Sequence, residues 1–406
     1  MENKAYPLSI CPGIPRLGPC PNGWMTLAYK DVLRTIQRPA DLKDNREYQL
    51  INAKRSRGGI VPRSRLKGED IRTKTQFFVK AGDFLIANRQ IIHGACGVVP
   101  EELEGAIVSN EYTTFRPKEI LYLPFFEYFT HSVYFQQTCF HSSIGVDVEK
   151  MVFKLNWWLE HNFYLPQFNE QKKIADLLIS WDEAIQETRN LIKGKIDNKK
   201  GQMQQLLSGR RRFLGFTEQW KDHQLGELFF ERKETNYEHL GLLAVTRDRG
   251  IIPASDVERK DNSSLNKSRY KRIIPGDIGY NTMRMWQGVS AVANLEGIVS
   301  PAYTICEPTS AIDPSFMGQL FKFPPVVHLF WKYSQGLVDD TLNLKYNNFA
   351  QIKVKIPTLD EQKAIAKFLS YIDQEIEILG KKLVALEKQK SGLMQKLLIG
   401  ETRVKV

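Results

Sequence analysis

The sequence predicts an α+β protein in which two globular α/β domains with β-rich sheets alternate with two long helices. Three observations support this fold class. The chain has 406 residues, more than one hydrophobic core usually organises. A helical segment occurs twice, once in the middle and once at the C-terminal end. The stretches before each helical segment contain short β-type runs broken by Gly, Pro and Asn.

The repeat is the strongest of these observations. The segment Leu165–Arg212 aligns without a gap with Ile356–Arg403, at an offset of 191 residues, and 17 of 48 positions are identical. Weaker repetition continues outside the helices, where Gly82-Asp83 matches Gly276-Asp277. Such self-similarity predicts two copies of one structural unit. The predicted boundaries are 1–164 for the first domain, 165–213 for the first helical region, 214–355 for the second domain and 356–406 for the second helical region.

Each helical segment carries signals for its start and its end. Asn169 and Asp360 are predicted N-caps, because their side chains can accept a hydrogen bond from the first helical turn. Gly209 and Gly400 stand where a left-handed C-terminal cap belongs.

Apolar residues at 4-3 spacing predict that the two helices pair as a coiled coil. In the second copy this seam runs from Ile365 to Leu397, with Lys390 as its polar member. The first copy places Lys195 and Lys199 among four polar residues on its seam, so it is predicted to be the weaker half. The residues expected to mediate pairing are Ile174, Ile185, Ile365, Leu369, Ile376 and Leu383.

Connectivity predicts the direction of the pairing. A helix over residues 361–399 would be about 60 Å long, whereas a domain of about 140 residues has a radius of gyration near 14 Å. The second domain leaves the end of the first helix and enters the start of the second, so the helices should run antiparallel. The expected result is a pseudo-twofold, roughly circular arrangement with one domain at each end of a helical spacer.

Charge and cysteine usage narrow the class of protein. The net charge of +11 favours a polyanionic partner, nucleic acid first and a membrane surface second. The five cysteines are scattered and contain no C-x-x-C pair, which argues against a disulfide framework and a zinc site. The sequence has no apolar run near 20 residues and no recognisable signal peptide. We therefore expect a cytoplasmic protein without a membrane partner or a bound metal.

Loops rich in Arg, Asn and Gln are the candidate DNA contacts. Lys and Arg bind phosphates, and Arg, Asn, Gln and Ser can bind base edges. Each residue could equally belong to a solvated basic loop. The candidates in the first domain are Arg55, Ser56, Arg57, Asn88, Arg89 and Gln90, with His93 beside them; those in the second domain are Arg247, Arg249, Arg284, Trp286 and Gln287.

A Glu-Gln pair begins both helices, as Glu170-Gln171 and Glu361-Gln362. Acidic residues in a first turn match the positive end of the helix dipole. A contact with a partner protein is the alternative role for the pair.

The helical segments resemble the conserved regions of type I restriction-modification specificity subunits. The shared pattern is L-P-x-x-x-E-Q-x-x-I-A-x-x-L, then D-x-x-I, then M-Q-x-L-L-x-G with a final Arg, and both copies carry it except that Ile356 replaces the leading Leu. Asn343-Leu344-Lys345-Tyr346 is similar to the family's approach to its second helix. The first half lacks that element and reads Leu155-Asn156-Trp157-Trp158 instead.

The resemblance implies two target recognition domains, each reading one half of a bipartite, asymmetric DNA site. It also implies that the helices set the spacer between the halves and dock two methyltransferase subunits, to which restriction subunits are added. This chain would bind no cofactor, and the partner subunits would use S-adenosylmethionine, ATP and Mg.

Catalytic motifs are weak. Glu170-Gln171-Lys172 and its repeat spell the E-x-K of nucleases but lack a Pro-Asp dipeptide, and Asp313-Pro314-Ser315-Phe316 is a loose echo of a methyltransferase motif without its cofactor loop. A P-loop and an H-E-x-x-H motif are absent from the sequence. We therefore expect a non-catalytic chain. A coiled-coil scaffold that binds only proteins is the alternative to the DNA reader.

Overall fold

The computed structural model describes residues 6–247, 249–257, 266–338 and 341–405. The chain divides into two compact units. The first contains Met1–Thr188 and Lys382–Val406, and the second contains Arg189–Lys381. Each unit therefore combines one β-rich domain with part of both long helices. The predicted domain edges at 164 and 355 stay predictions.

The first unit begins with thirteen short strands and four short helices. The strands are β1 (Met25–Ala28), β2 (Leu33–Ile36), β3 (Pro39–Ala40), β4 (Glu47–Ala53), β5 (Ile60–Lys67), β6 (Gln76–Phe78), β7 (Phe84–Ala87), β8 (Cys96–Val98), β9 (Ile107–Ser109), β10 (Tyr112–Pro117), β11 (Ser143–Ile144), β12 (Val152–Phe153) and β13 (Asn162–Leu165). The helices are α1 (Tyr29–Val32), α2 (Leu123–Phe129), α3 (Val133–His141) and α4 (Leu155–Leu159).

Two small sheets organise this domain. One has the order β2-β10-β7-β8, and the other has the order β3-β6-β9-β4-β5. The strand β1 at the start of the domain pairs antiparallel with β13 at its end, with Met25 opposite Leu165. Because β13 leads directly into the first long helix, this ladder places both ends of the domain beside the helix start.

Aromatic side chains fill the core of the first unit. Tyr29 stacks on Trp158 with ring centroids 4.2 Å apart, and Phe126 and Phe135 pack edge-on to Tyr29. All four are fully buried. Such large apolar surfaces dominate the stability of a core. Ile174 and Leu178 of the first helix and Leu397 of the second close the same cluster.

The second unit repeats most of this plan, but it has two two-stranded sheets in place of the five-stranded one. Its strands are β14 (Lys221–Gln224), β15 (Phe229–Glu231), β16 (Leu243–Val245), β17 (Ile251–Pro253), β18 (Lys271–Ile273), β19 (Ile278–Asn281), β20 (Ser290–Val292), β21 (Gly297–Val299), β22 (Tyr303–Pro308) and β23 (Lys353–Ile356). Between the two long helices, α5 (Phe168–Leu206) and α10 (Leu359–Leu398), lie the short helices α6 (Leu225–Leu228), α7 (Pro314–Leu320), α8 (Pro324–Tyr333) and α9 (Tyr346–Phe349). The sheet β15-β22-β19-β20 corresponds to β2-β10-β7-β8, and β14 pairs with β23 as β1 pairs with β13.

The departure of the first half from the family pattern does not change its structure. Helix α4 lies 191 residues before α9, although only the second copy carries the N-L-x-Y element. Trp158 of α4 and Phe349 of α9 occupy equivalent positions, and both are fully buried. A buried aromatic residue is what the two segments share.

Both predicted long helices are present, which confirms the mixed helix and sheet class. The N-cap prediction is wrong by two residues: the helices begin at Phe168 and Leu359, so Asn169 and Asp360 lie inside the first turn and Gln167 and Thr358 are the N-caps. Gly209 and Gly400 have φ of +69° and +74°, which confirms the left-handed ends. Across the described ranges, the helices lack the combined length and apolar composition needed to cross a bilayer.

Contacts inside each unit show that the helices pair antiparallel. In the first unit Glu170 bonds Arg403 and Asp182 bonds Lys390. As residue numbers rise along the first helix, those of its partners in the second helical region fall, which is the pattern of antiparallel helices. In the second unit Lys199 bonds Asp373 and Arg212 bonds Glu361. The ten predicted seam positions of α10 are all buried or half-buried. Of the residues expected to mediate pairing, Ile174, Ile185, Ile365 and Leu369 are buried, and Ile376 and Leu383 are half-buried.

The Glu-Gln pairs connect the helix starts to their own units. The carboxylate of Glu170 accepts two hydrogen bonds from Arg403 and one from the Trp24 indole, and Glu361 accepts two from Arg212. Glu170 and Glu361 are 2% and 0% exposed. In this chain the pairs therefore make intramolecular contacts, and neither carboxylate is exposed to a partner protein.

The two glutamines make matching hydrogen bonds. Gln171 accepts from the Tyr122 amide and donates to the Ile120 and Pro166 carbonyls. Gln362 accepts from the Asp313 amide and donates to the Ala311 and Pro357 carbonyls. Each glutamine therefore ties its helix start to the loop before α2 or α7.

We expect Gln362→Leu to lower the free energy of unfolding by about 3 kcal/mol, because it leaves buried backbone groups without partners. Denaturant unfolding of the full chain measures the change. Gln374→Leu, at an exposed position of the same helix, is the matched control and should change stability by less than about 0.5 kcal/mol. Equal effects of the two substitutions would contradict this role of Gln362.

Candidate nucleic-acid interface

The first candidate site joins two loops of the first unit. One is the hairpin loop between β4 and β5, and the other is the 3-10 turn Ile91–His93 with Gly94 after it. The Ser56 amide donates to the His93 carbonyl at 2.7 Å, and the Arg57 amide donates to the Gly94 carbonyl at 2.9 Å. The two loops that the sequence singled out separately thus form one surface, which we call the domain-one loop site.

Backbone geometry at this site is unusual. Ser56 and Arg57 both have φ of +57°, a left-handed conformation that costs energy in residues with a side chain. The amide bonds to His93 and Gly94 offset that cost. A Cβ on Gly94, whose φ is +75°, would lie 3.0 Å from the Arg57 guanidinium carbon. Strained turns that are held in place in this way occur often at functional sites.

The charged side chains of the domain-one loop site contact one another. Arg55 donates to Gln90 at 2.7 Å and makes a bidentate ion pair with Glu149. This bond holds the pKa of the Glu149 carboxyl below its usual value. Burial, together with the nearby charge of Arg55, lowers the pKa of His93. His93 is therefore neutral at pH 7, and Glu149 is ionised.

The other candidates at this site differ in exposure. Arg57 is partly buried and donates to the Thr130 carbonyl, and this burial lowers the pKa of its guanidinium. Asn88 accepts a hydrogen bond from the Thr113 hydroxyl. Arg89 pairs with Glu111 at 2.7 Å, and its side chain is 78% exposed. Arg55 and Arg89 are thus the cations that a phosphate can reach most directly.

The second candidate site is built from the equivalent elements of the second unit. The loop between β16 and β17 carries Arg247 and Arg249, and the 3-10 turn Met285–Gln287 carries Trp286 and Gln287. Gly288 closes this turn with φ of +75°, as Gly94 closes its counterpart. Arg247, Trp286 and Gln287 line one open cavity of about 650 Å³. We call this surface the domain-two loop site.

The remaining candidates, Arg249 and Arg284, are not among the residues that line this cavity. Arg249 donates to the Asp256 carbonyl, and Arg284 is exposed immediately before the 3-10 turn. Asp248, between the two loop arginines, lies outside the described residues. The Trp286 indole donates to the Met283 carbonyl at 3.0 Å, which orients its ring.

Sequence reasoning missed one wall of this site. Lys322, His328 and Trp331 line the same cavity from helix α8 and the residue two before it. Lys322 donates to the Arg247 carbonyl, and the rings of His328 and Trp331 stack at 5.4 Å. Trp331 is 48% exposed although it is large and aromatic. The apolar run around α8 indicates core packing, so the sequence contained no signal for a surface role.

The weak catalytic motifs have structural roles. Asp313 caps α7 by accepting a hydrogen bond from the Phe316 amide, and Glu170 and Glu361 are engaged by arginines. Asp83 and Asp277 of the repeated Gly-Asp pairs bond Arg38 and Arg232 at equivalent positions. Within the part of the chain that the structure describes, His, Cys, Asp and Glu side chains form no group of three or more that could hold a metal ion.

Comparison with known proteins identifies the family of the chain. The family model described as type I restriction modification DNA specificity domain matches residues 21–194 and 330–388, together more than half of the chain. The putative type I restriction enzyme MjaX specificity subunit of Methanocaldococcus jannaschii is 22% identical over 423 aligned positions, which cover 96% of each chain.

Solved structures share the fold. The HsdS subunit of Thermoanaerobacter tengcongensis superimposes with a TM-score of 0.55 at 17% identity, over 95% of this chain and 99% of that one. A chain in a structure that concerns complex assembly and conformational transition of the type I R-M system gives a TM-score of 0.61 at 17% identity, over 95% of this chain and all of that one. From the match to the family model, the chain belongs to the type I restriction-modification DNA specificity family, as a specificity subunit.

Proposed function

We propose that each unit of this specificity subunit reads one half of a bipartite, asymmetric DNA site. The observation that carries the proposal is the recurrence of one loop arrangement with different side chains. In the first unit a β-hairpin loop is hydrogen-bonded to a glycine-closed 3-10 turn, and in the second unit the equivalent loop and turn line one cavity. A shared scaffold with unlike contact residues suits two half-sites of unlike sequence.

The side chains at the two loop sites favour different chemistry. The domain-one loop site offers Arg55 and Gln90. Arg pairs with guanine and Gln with adenine in the major groove. The domain-two loop site offers Arg247 and Gln287 beside the indole rings of Trp286 and Trp331. Those rings present apolar surface, which can contact a thymine methyl group.

The division of labour in the complex is part of the proposal. We assign modification and cleavage to partner chains, namely two methyltransferase subunits docked on the helices and restriction subunits added to them. In this assignment the chain is non-catalytic and cytoplasmic and binds no cofactor, and the partners use S-adenosylmethionine, ATP and Mg. The family membership supports this assignment.

Duplex binding tests the proposal against a scaffold that binds only proteins. The full chain, assembled with its methyltransferase subunits, is titrated with a duplex pool at increasing salt. We expect sequence-selective binding that weakens steeply as salt rises, because phosphate contacts release counterions. Binding to no duplex at low salt would overturn the proposal and favour the scaffold.

We expect Glu149→Gln to strengthen duplex binding by a few-fold at low salt. The Glu149 carboxylate forms an ion pair with Arg55. Removing the charge of Glu149 therefore leaves the Arg55 guanidinium available for a phosphate. The affinity is measured at two salt concentrations, and the gain should shrink at the higher one. Glu377→Gln, which breaks an exposed ion pair on α10, is the control. If the two substitutions had the same effect, the assignment of Arg55 to DNA would fail.

A further inference from the structure

Each unit contains an Asp–Lys ion pair between the paired helices, and these two pairs are equivalent. The second unit also has the pair Lys195–Glu375, whose positions hold Leu386 and Ala184 in the other copy. In the first unit Lys390 Nζ lies 2.5 Å from Asp182 Oδ1. In the second unit Lys199 Nζ lies 2.7 Å from both carboxylate oxygens of Asp373. The two lysines are 191 residues apart, and so are the two aspartates. Each helix thus contributes one Lys and one Asp to the two pairs.

A residue of the β-rich domain joins each pair. The Tyr128 hydroxyl, on α2, donates to Asp182 Oδ2 at 2.7 Å, and Lys390 lies 5.2 Å from the Tyr128 ring centre. Gln319, on α7, donates to Asp373 Oδ2 at 3.0 Å. Tyr128 and Gln319 are also 191 residues apart. Each junction therefore links the reading domain, its own helix and the opposite helix.

The lysines stand on the apolar seam and not on a solvated face. Their side chains are only 17% (Lys390) and 18% (Lys199) exposed. Apolar residues in place of such an ion pair are often equally good or better for stability. A lysine on the seam selects one register of the helix pair, because any other alignment would separate the lysine from its aspartate.

The seam needs such a selection because its apolar residues are alike. Leu379, Leu383, Leu386 and Leu393 repeat along α10. Along α10, sliding by a heptad exchanges one leucine for another, so these leucines alone select the register weakly. The same slide would place Lys390 one heptad, about 10 Å, from Asp182.

We propose that these two Asp–Lys pairs act as a register lock. They hold the helix pair in one alignment and hold each reading domain to that alignment, and in this way they set the length of the unread DNA spacer. The link to spacer length rests on the proposed function. Asp182, Lys390, Lys199 and Asp373 are positioning residues, since they act through the domains that contact DNA.

The test is the double variant Lys199→Met/Lys390→Met in the full chain. Spin labels at Glu183→Cys and Lys388→Cys, both exposed positions of the first unit, report the helix alignment by electron–electron distance measurement, with Cys11 and Cys20 replaced by Ser. We expect one narrow distance in the parent and a broader or second distance in the double variant. Thermal stability should be retained, because methionine suits the seam and the Asp182 and Asp373 side chains, 49% and 44% exposed, stay solvated.

Spacer preference is measured on the same variant with its methyltransferase subunits. Duplexes carry the two half-sites separated by the parent spacer or by one base pair more or fewer. We expect the preference for the parent spacer to fall by about tenfold while the half-site sequences stay the same. Lys381→Met, at an exposed position of α10 that pairs with Glu377, is the matched control and should leave both readouts unchanged.

A charge-exchange variant is the control for a methionine variant that fails to fold. The variant Asp182→Lys/Lys390→Asp/Asp373→Lys/Lys199→Asp restores both ion pairs with reversed sign, and it should recover the narrow distance and the spacer preference.

An unchanged distance distribution in the methionine variant would overturn the register lock. A broadened distribution with unchanged spacer preference would overturn its role in spacing. If the parent bound no duplex, the proposed function would fail, and the distance measurement would still decide the lock.

Discussion

Replacing residues 214–355 with the matching segment of a related specificity subunit is expected to change one half of the recognised DNA sequence and to leave the other half unchanged. The second unit has its own strand ladder, β14 with β23, and its own core built on Phe229, Phe321 and Phe349. The exchanged segment therefore carries its own reading surface.

The exchange should keep the junctions with the helices intact. Gln362 forms hydrogen bonds with the backbone of Asp313 and Ala311, and the Gln319 side chain donates a hydrogen bond to the Asp373 carboxylate. A donor segment with a Gln or Tyr at the position of Gln319 is thus preferred. The recognised sequence is read by selection from a random duplex pool, with the parent as the control. Altered bases in both halves would contradict independent reading domains.

The double variant Arg247→Ala/Gln287→Ala is expected to lower the affinity for the cognate duplex by about 100-fold. Two lost base contacts at about 1.4 kcal/mol each correspond to that factor. Both side chains line the open cavity of the domain-two loop site, so their truncation should leave the core intact. The loss should be confined to the half-site that the second unit reads.

Binding to parent and half-scrambled duplexes measures this effect. Lys381→Ala/Gln374→Ala removes one cation and one amide from exposed positions of α10 and is the matched control. A uniform loss on every duplex would assign Arg247 and Gln287 to phosphates. Unchanged affinity would remove the domain-two loop site from the interface.

Local patterns in the sequence predicted the helices and the seam well. Apolar spacing, the terminal glycines and the repeat all act over a few residues, and the structure confirms α5, α10 and the buried seam positions. The short β-type runs predicted before the first helix are present as strands, among them Phe84–Ala87. The N-caps were placed two residues late, since helix ends depend on tertiary contacts as well as on cap propensity.

Partners distant in sequence could not be predicted in the same way. Glu170 is matched by Arg403 and Asp182 by Lys390, more than 200 residues away in each case. A signal existed, because all four residues recur at the same offset of 191. In an antiparallel helix pair, an acidic residue of one repeat and a basic residue of the other come together twice, once in each unit, and the offset predicts this. For Trp331 and His328 no comparable signal existed, because only the packing of α8 brings them to the loop site.

Mapping methylated bases in the host genome, with and without this gene, tests the central claim most directly. The account predicts methylation at one bipartite, asymmetric sequence with a fixed spacer, and its loss when the gene is removed. Exchange of residues 214–355 should then change the bases in one half of the methylated sequence and leave the other half as it was. A methylation pattern that stays the same without the gene would contradict the account.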